Sequence, residues 1–261
     1  MDYISTKENK TIKNITKLLS SAKYRKQSGE FVCEGIRLCK DAVLSGAKVS
    51  TFLFTEDAMN KYKDECEMFI SYAEKSFCVD NRIFSGISDT DTPQGVLFVV
   101  KTLDKSDDFD KINKNGIVLA LDNISDPTNL GTILRTAEAF AVDSVILSKG
   151  SCDVYSPKVV RGSMGAVFRT RFTVCDNLAE FIRDYNNIGT SYASILDDKA
   201  QKLSDIHFSK PSLVVIGNEA NGISCDVAET CKEKLFIPMS GKAESLNAAV
   251  ACSIILWEMS K

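Results

Sequence analysis

Histidine is almost missing from this chain of 261 residues: His207 is the only one. There are nine cysteines, but no two form a Cys-x-x-Cys pair. The closest neighbours, Cys33 with Cys39 and Cys225 with Cys231, are six residues apart. Such scattered thiols and a lone histidine match no zinc-ligand spacing and offer no Cys-His nucleophile, so no metal is expected. An odd number of cysteines without a pattern reads as reduced, mostly buried thiols in a reducing compartment. His207 reads as a surface loop residue. Long hydrophobic runs are also lacking: all are under ten residues, too short to cross a bilayer. The opening MDYISTKENK has no apolar stretch of signal-peptide type. The reading is a cytoplasmic protein with no membrane partner. No Gly-x-Gly-x-x-Gly joins an early strand to a helix, and no Gly-x4-Gly-Lys-Ser/Thr occurs. Dinucleotide enzymes and P-loop nucleotidases are thereby disfavoured. Nor is there an overall excess of positive charge, since the net charge is −3.

Apolar residues make up 44% of the chain and charged ones 26%, ordinary values for a globular protein. The length suits one large or two medium domains. Positive charge is concentrated locally. Lys7, Lys10, Lys13, Lys17, Lys23, Arg25 and Lys26 face a single acid, Glu8, over that stretch. Ile12, Ile15, Leu18, Leu19 and Ala22 recur at helical spacing and predict a helix over about 8–22 with its lysines outward. That face is either merely solvated or tracks phosphates. Strands are predicted at 31–33, 51–54, 77–79 and 96–100, with helices at 35–44 and 58–73, giving a small α/β/α domain over 1–101. The charged stretch 102–115 reads as a linker. The second domain, 116–261, starts with the continuous apolar strand Ile117–Leu121. Pro127 then opens a helix whose apolar stripe is Leu130, Ile133, Leu134, Ala137 and Phe140. Arg135 points nearly opposite that stripe, and Asn129 lies at its edge. Further strands at 145–147, 171–174, 192–196, 213–216 and 235–238, alternating with helices, imply a mostly parallel sheet.

The most informative stretch is the last fifty residues. Leu213–Ile216 stops at Gly217 and opens into Asn218-Glu219-Ala220-Asn221-Gly222. Leu235–Pro238 ends in Met239-Ser240-Gly241, and a helical pattern starts at Ser245. Two buried strands that end in glycine-bearing loops before a helix make a ligand site in open α/β sheets. Gly217, Gly222 and Gly241 let a ligand approach main-chain donors and acceptors, which is what a purine edge needs.

Ile216–Gly222, Ile237-Pro238-Met239 with Ser245-Leu246-Asn247, and upstream Asn129-Leu130-Gly131 with Arg135 and Ala137–Phe140, resemble the three motifs of the SpoU/TrmH-type RNA ribose 2′-O-methyltransferases. The resemblance implies a C-terminal α/β knotted SPOUT methyltransferase domain. It also implies a ribosomal-protein-like N-terminal domain that engages RNA, suggested more loosely by Phe31–Gly35 and Thr92–Gly95. S-adenosylmethionine is the implied cofactor, with Gly217, Asn218, Gly222, Ile237, Met239 and Leu246 around it. A homodimer is implied, each subunit completing its neighbour's site. The implied catalytic set is Arg135, Asn129, Glu219, Ser245 and Asn247. The RNA-binding set is Lys10, Lys13, Lys17, Lys23, Arg25 and Arg161, the last in Arg161–Ala166, which resembles a family segment. Two departures stand out: Ala141 where relatives often have glycine, and Ala-Ala after Asn247 in place of the commoner Val-Ser.

The chemistry narrows the roles. Aligning two bound reactants is worth about 7–11 kcal/mol, and a general base about 10²–10⁴-fold. Positioning therefore dominates, which favours a site crowded with hydrogen-bonding side chains. The resemblance assigns Arg135 to activating the hydroxyl; arginine hardly ever gives up its proton, so steadying a developing alkoxide or gripping a phosphate is the other reading, and its protonation role stays open. Glu219 equally suits a helix N-terminal anchor, and Ser245 the N-cap of the last helix. The resemblance, through the leading α/β domain, implies ribosomal RNA, 23S above all, as the substrate. Transfer RNA, and a non-catalytic RNA-binding or ribosome-assembly role on the same fold, stay open.

Overall fold

The computed structural model describes residues 2–103, 116–197 and 199–261. The expected linker therefore lies outside the described residues apart from Thr102 and Leu103. In chain order the first elements are β1 (Asp2–Ile4), α1 (Lys10–Ser20), α2 (Ala22–Ser28), β2 (Glu30–Glu34), α3 (Ile36–Leu44) and β3 (Val49–Phe54). Then come α4 (Glu56–Lys61), α5 (Lys63–Tyr72), β4 (Ser76–Val79), α6 (Asn81–Ile87) and β5 (Val96–Lys101). The second half has β6 (Ile117–Leu121), α7 (Pro127–Ala139), β7 (Ser144–Ser148), α8 (Pro157–Gly162), α9 (Ala166–Arg169), β8 (Phe172–Cys175) and α10 (Leu178–Tyr185). It closes with β9 (Thr190–Ser194), β10 (Gln201–Lys202), β11 (Ser212–Ile216), α11 (Cys225–Thr230), β12 (Glu233–Phe236) and α12 (Ala248–Met259). Two compact units result: Met1–Asp104 with Asp153–Phe168, and Lys105–Cys152 with Arg169–Lys261.

The first unit holds a five-stranded sheet in the order β1-β4-β3-β5-β2, with β5 antiparallel to both neighbours. One face is covered by Ile12, Ile15 and Leu18 of α1 with Ile83 and Phe84 of α6. Elsewhere in the core, Phe52 meets Phe54, Phe69 and Phe98 with ring centroids 5.1, 5.5 and 5.3 Å apart. The predicted helix over 8–22 breaks at Ser21. That residue is extended, and its hydroxyl caps α2 by accepting from Tyr24 N. Likewise the helix expected over 58–73 is two, interrupted at Tyr62.

Lys10, Lys13, Lys17 and Lys23 are exposed as expected. Arg25 is not. It is 5% exposed, with Nε 2.7 Å from Asp153 Oδ2 and Nη1 donating to Leu18 O at 2.5 Å. Its charge is used inside the unit, so Arg25 leaves the RNA-binding set. Arg161 is half-buried and pairs with Asp89 at 2.8 Å. The adjoining Met164 has a left-handed backbone, φ 50°.

The second unit is a seven-stranded parallel sheet in the order β10-β12-β9-β11-β6-β7-β8. Strands β6 and β11 lie side by side at its centre, and every residue of both is buried. The chain runs outward from β6 through β7 and β8, then crosses to β9 on the other side of β11. The carboxyl ends of β6 and β11 thus flank the point where the strand order reverses, where open α/β sheets hold ligands. Helix α10 lays Leu178, Ala179, Ile182 and Tyr185 on the sheet. Helix α12 packs along α7, and the Thr136 and Ser253 hydroxyls meet at 3.2 Å. Asp126 caps α7 by accepting from Thr128 N at 2.7 Å, and Pro127 opens it. Just past its end, Ala141 has φ 50°. That left-handed conformation is the physical reason for a glycine preference there.

Helix α12 starts later than the pattern suggested. Its cap is Asn247, whose Oδ1 accepts from Ala249 N at 2.9 Å and Val250 N at 3.3 Å. Ser245 sits outside the helix and is not the cap. The reason is chemical: the longer amide reaches two of the first free N–H groups at once.

Candidate active site

Three segments far apart in sequence meet beyond β6 and β11. Asn247 Nδ2 donates to Asn129 Oδ1 at 2.8 Å. Asn129 Nδ2 in turn donates to Glu219 Oε1 at 2.8 Å. Glu219 also accepts from Ser125 N at 3.2 Å, Ser125 Oγ at 3.0 Å and Asp126 N at 3.2 Å. Asn129 is only 6% exposed, so both ends of its amide are committed and its rotamer is fixed. Asn247 uses its oxygen for the α12 cap and its nitrogen for Asn129, which sets the position of that helix relative to α7.

Burial acts to raise the Glu219 carboxyl. Hydrogen bonds from Asn129 and from the main chain of Ser125 and Asp126 outweigh it and hold the group below the usual carboxylate range. Glu219 is accordingly a stable anion at neutral pH, built to accept hydrogen bonds rather than to take up a proton. Its partners on Ser125 and Asp126 lie at the amino end of α7, so the anchoring role holds alongside the polar network. Ser125 and Asp126 were not among the expected site residues. Main-chain donors carry no side-chain signal, and only the loop position after a strand points to them.

The Gly217–Ser224 loop folds back on itself. Asn218 N and O each bond Gly222 at 2.9 Å. A Cβ on Gly217 would lie 2.3 Å from Gly222 C and from Ile223 N, so no other residue fits this crossing of two backbones. Asn218 holds the loop from within: Oδ1 accepts from Ala220 N and Asn221 N, both at 3.0 Å, and Nδ2 donates to Asn123 O at 2.7 Å. The Asn218 side chain is therefore spent inside the protein.

The second loop, after β12, has a different character. Ile237 and Leu246 are half-buried and Met239 is 36% exposed. Among the described residues, 239–246 make no backbone-to-backbone hydrogen bond. The Gly217 fold-back, a run of main-chain donors and acceptors without backbone partners and three apolar side chains supply the kinds of group that hold a purine edge and its ring face. Arg135 is exposed on α7 and, among the described residues, forms no ion pair or hydrogen bond. The structure brings together Asn129, Glu219, Asn247, Asn218, Gly217 and Gly222. It does not join Arg135 or Ser245 to that network by any hydrogen bond. The described residues contain no group of three His, Cys, Asp or Glu able to hold a metal ion.

The model of the SpoU rRNA methylase family matches residues 116–257, more than half the chain. This chain belongs to that family. Residues 9–97 match the MRM3-like substrate binding domain. The 23S rRNA (guanosine(2553)-2′-O)-methyltransferase RlmP of Bacillus subtilis is 28% identical over 99% of both chains. The mitochondrial rRNA methyltransferase 3 of Xenopus tropicalis is 30% identical, covering 96% of this chain and 74% of its own. Among solved structures, the AdoMet-bound rRNA methyltransferase from Sinorhizobium meliloti superposes with a TM-score of 0.87 at 29% identity. That match covers 99% of this chain and 97% of the other. The family match and the AdoMet-bound neighbour identify the chain as an S-adenosylmethionine-dependent methyltransferase.

Proposed function

We propose that this protein methylates the ribose 2′-hydroxyl of a nucleotide in ribosomal RNA, 23S RNA above all. The observation that carries the reading is the Asn247–Asn129–Glu219 chain, which ties the motif segments into one rigid polar floor beside the glycine cradle. S-adenosylmethionine, when bound, supplies an electrophilic methyl group. The main chain near Gly217, Gly222, Ile237, Met239 and Leu246 would hold it, with Asn218 fixing the loop. The protein's own contribution is alignment. Asn129 and Asn247, locked to each other and to Glu219 and the α12 cap, fix the segments that carry the site, and Ser245 offers the acceptor ribose an uncommitted hydroxyl. Arg135 steadies charge developing on the 2′-oxygen or grips the adjoining phosphate. Glu219 keeps Asn129 in place and does not act as the base.

The exposed Lys10, Lys13, Lys17 and Lys23 supply a cationic face for RNA, and Arg161 adds a guanidinium within the same unit. A homodimer fits the surface of α12, where Val250 is 47% and Trp257 55% exposed on a helix that is apolar all round. It also fits Arg135, which stands outside its own chain's network and would serve the neighbour's site. A knot is consistent with the path after β12, which must return past β9 and β11 to reach α7. The matched stretches 9–97 and 116–257 support assigning 1–101 to RNA and 116–261 to chemistry, with the difference that Asp153–Phe168 cluster with the first unit rather than the second. The described residues contain no helix long and apolar enough to cross a membrane, in keeping with action in the cytoplasm.

The test is transfer of radiolabelled methyl to 23S RNA fragments by wild type and Arg135→Ala. Loss of transfer in a folded variant that still binds cofactor is expected. Turnover equal to wild type would remove Arg135 from the chemistry. Incorporation into transfer RNA alone would move the substrate, and no incorporation into any RNA would leave a binding protein.

A further inference from the structure

We infer that Asp122 is a positioning residue that sets the Gly217–Ser224 loop for cofactor binding. The inference rests on the methyltransferase reading above. Asp122 follows the last residue of β6 and is 2% exposed. Its Oδ2 accepts twice from Ser224, from N at 2.8 Å and from Oγ at 2.7 Å. Its Oδ1 accepts from Asn123 Nδ2 at 2.8 Å. All three donors are uncharged. A buried carboxylate facing only neutral donors is costly to keep. What it supplies is one oxygen able to accept two short charge-assisted bonds from a single residue.

Ser224 shows the other side of the same bargain. It occupies the N-cap position of α11, yet its side chain makes no cap hydrogen bond there. Serine at that position ordinarily closes the helix. Here the hydroxyl is turned to Asp122 instead, so the far end of the loop is fastened to β6 rather than to its own helix.

The near end is fastened to the same turn, because Asn218 Nδ2 bonds Asn123 O. The turn is itself rigid. Asn123 is left-handed with φ 57°, and its N donates to Ser148 Oγ at 2.8 Å at the end of β7. A Cβ on Gly150 would lie 1.8 Å from Asn123 Oδ1, so the residue behind the turn is confined to glycine while Asn123 keeps this position. Support passes from the end of β7, through Asn123 and Asp122, to both ends of the loop whose fold-back at Gly217 forms the cradle. Releasing Asp122 would free the Ser224 end while Asn218 and Glu219 still hold the other.

Calorimetric titration with S-adenosylmethionine tests this on Asp122→Ala, Ser224→Ala, the double variant and Ser224→Thr. Melting curves and RNA affinity are read alongside. Each alanine variant is expected to weaken cofactor binding about tenfold, the effect of losing a charge-assisted bond. The double variant should be no worse than the weaker single, because both remove one interaction. Ser224→Thr keeps the hydroxyl and should bind as wild type. RNA affinity should stay within about twofold, and saturating cofactor should restore most of the turnover. If Asp122→Ala does not fold, the Ser224 pair carries the same comparison. Single variants that bind cofactor as tightly as wild type, or losses that multiply in the double variant, overturn the inference alone. A wild type that takes up no S-adenosylmethionine overturns the methyltransferase reading and this inference with it.

Discussion

Replacing Glu219 with alanine is the sharpest probe of the polar floor. The carboxylate accepts from Asn129 Nδ2, Ser125 N, Ser125 Oγ and Asp126 N. Water can replace it at Ser125 and Asp126, both of which are exposed. It cannot easily do so at Asn129, which is 6% exposed. The lasting cost is therefore one buried amide left half-satisfied, about 2 kcal/mol. For a chain of this size that corresponds to a fall in Tm of roughly 4–8 °C. The kinetic cost is larger. An Asn129 free to shift by about 1 Å loses roughly 10²-fold in rate. Single-turnover methyl transfer at saturating cofactor separates the two, because it scores only folded, loaded enzyme. A wild-type single-turnover rate in Glu219→Ala would refute the argument that this network aligns the reactants. Acid offers an independent check. The folded carboxyl titrates below the ordinary value of 4.5. Its stabilisation is thus complete above that value and is lost as pH falls through the lower folded one. Melting curves of Glu219→Gln should accordingly converge on wild type as pH falls from 4.5 through that lower folded value, and a gap that stays constant throughout the acid range would contradict this.

Other outcomes follow from single features. Neutralising Lys10, Lys13, Lys17 and Lys23 together should weaken RNA binding and reduce its dependence on log salt by about 0.7–0.9 per lost phosphate contact; an unchanged slope would make that face merely solvated. Ala141→Gly should raise stability by about 0.5 kcal/mol, since relief of the left-handed strain, roughly 1–2 kcal/mol, exceeds the added chain entropy, about 0.4–1 kcal/mol. A drop in Tm for Ala141→Gly would show that the strain is not there. Truncating the exposed Val250 and Trp257 to alanine should lower the sedimenting mass towards one chain of 28.7 kDa, and an unchanged mass would place any dimer interface elsewhere.

The strands were legible because β6 and β11 are buried on both faces and so must be apolar throughout. Helix α7 was legible because Pro127 marks its start and its stripe is regular. The breaks at Ser21 and Tyr62 were not, since the apolar spacing runs on across both and only the backbone turns. Charge misled at Arg25, whose partner Asp153 stands 128 positions away. Polar contacts have no periodicity, so nothing in the residues alone links Glu219 to Asn129, 90 positions apart. Resemblance named those residues, but geometry says why each is needed, and the case of Asn247 reaches furthest. Its oxygen closes α12 and its nitrogen fixes Asn129, so a neighbouring side chain has no cap to make. Ser245 is thereby released: exposed, outside the helix, and without a hydrogen bond among the described residues. A serine that reads in sequence as a structural cap is thus left with its hydroxyl uncommitted, because the amide two positions later closes the helix in its place.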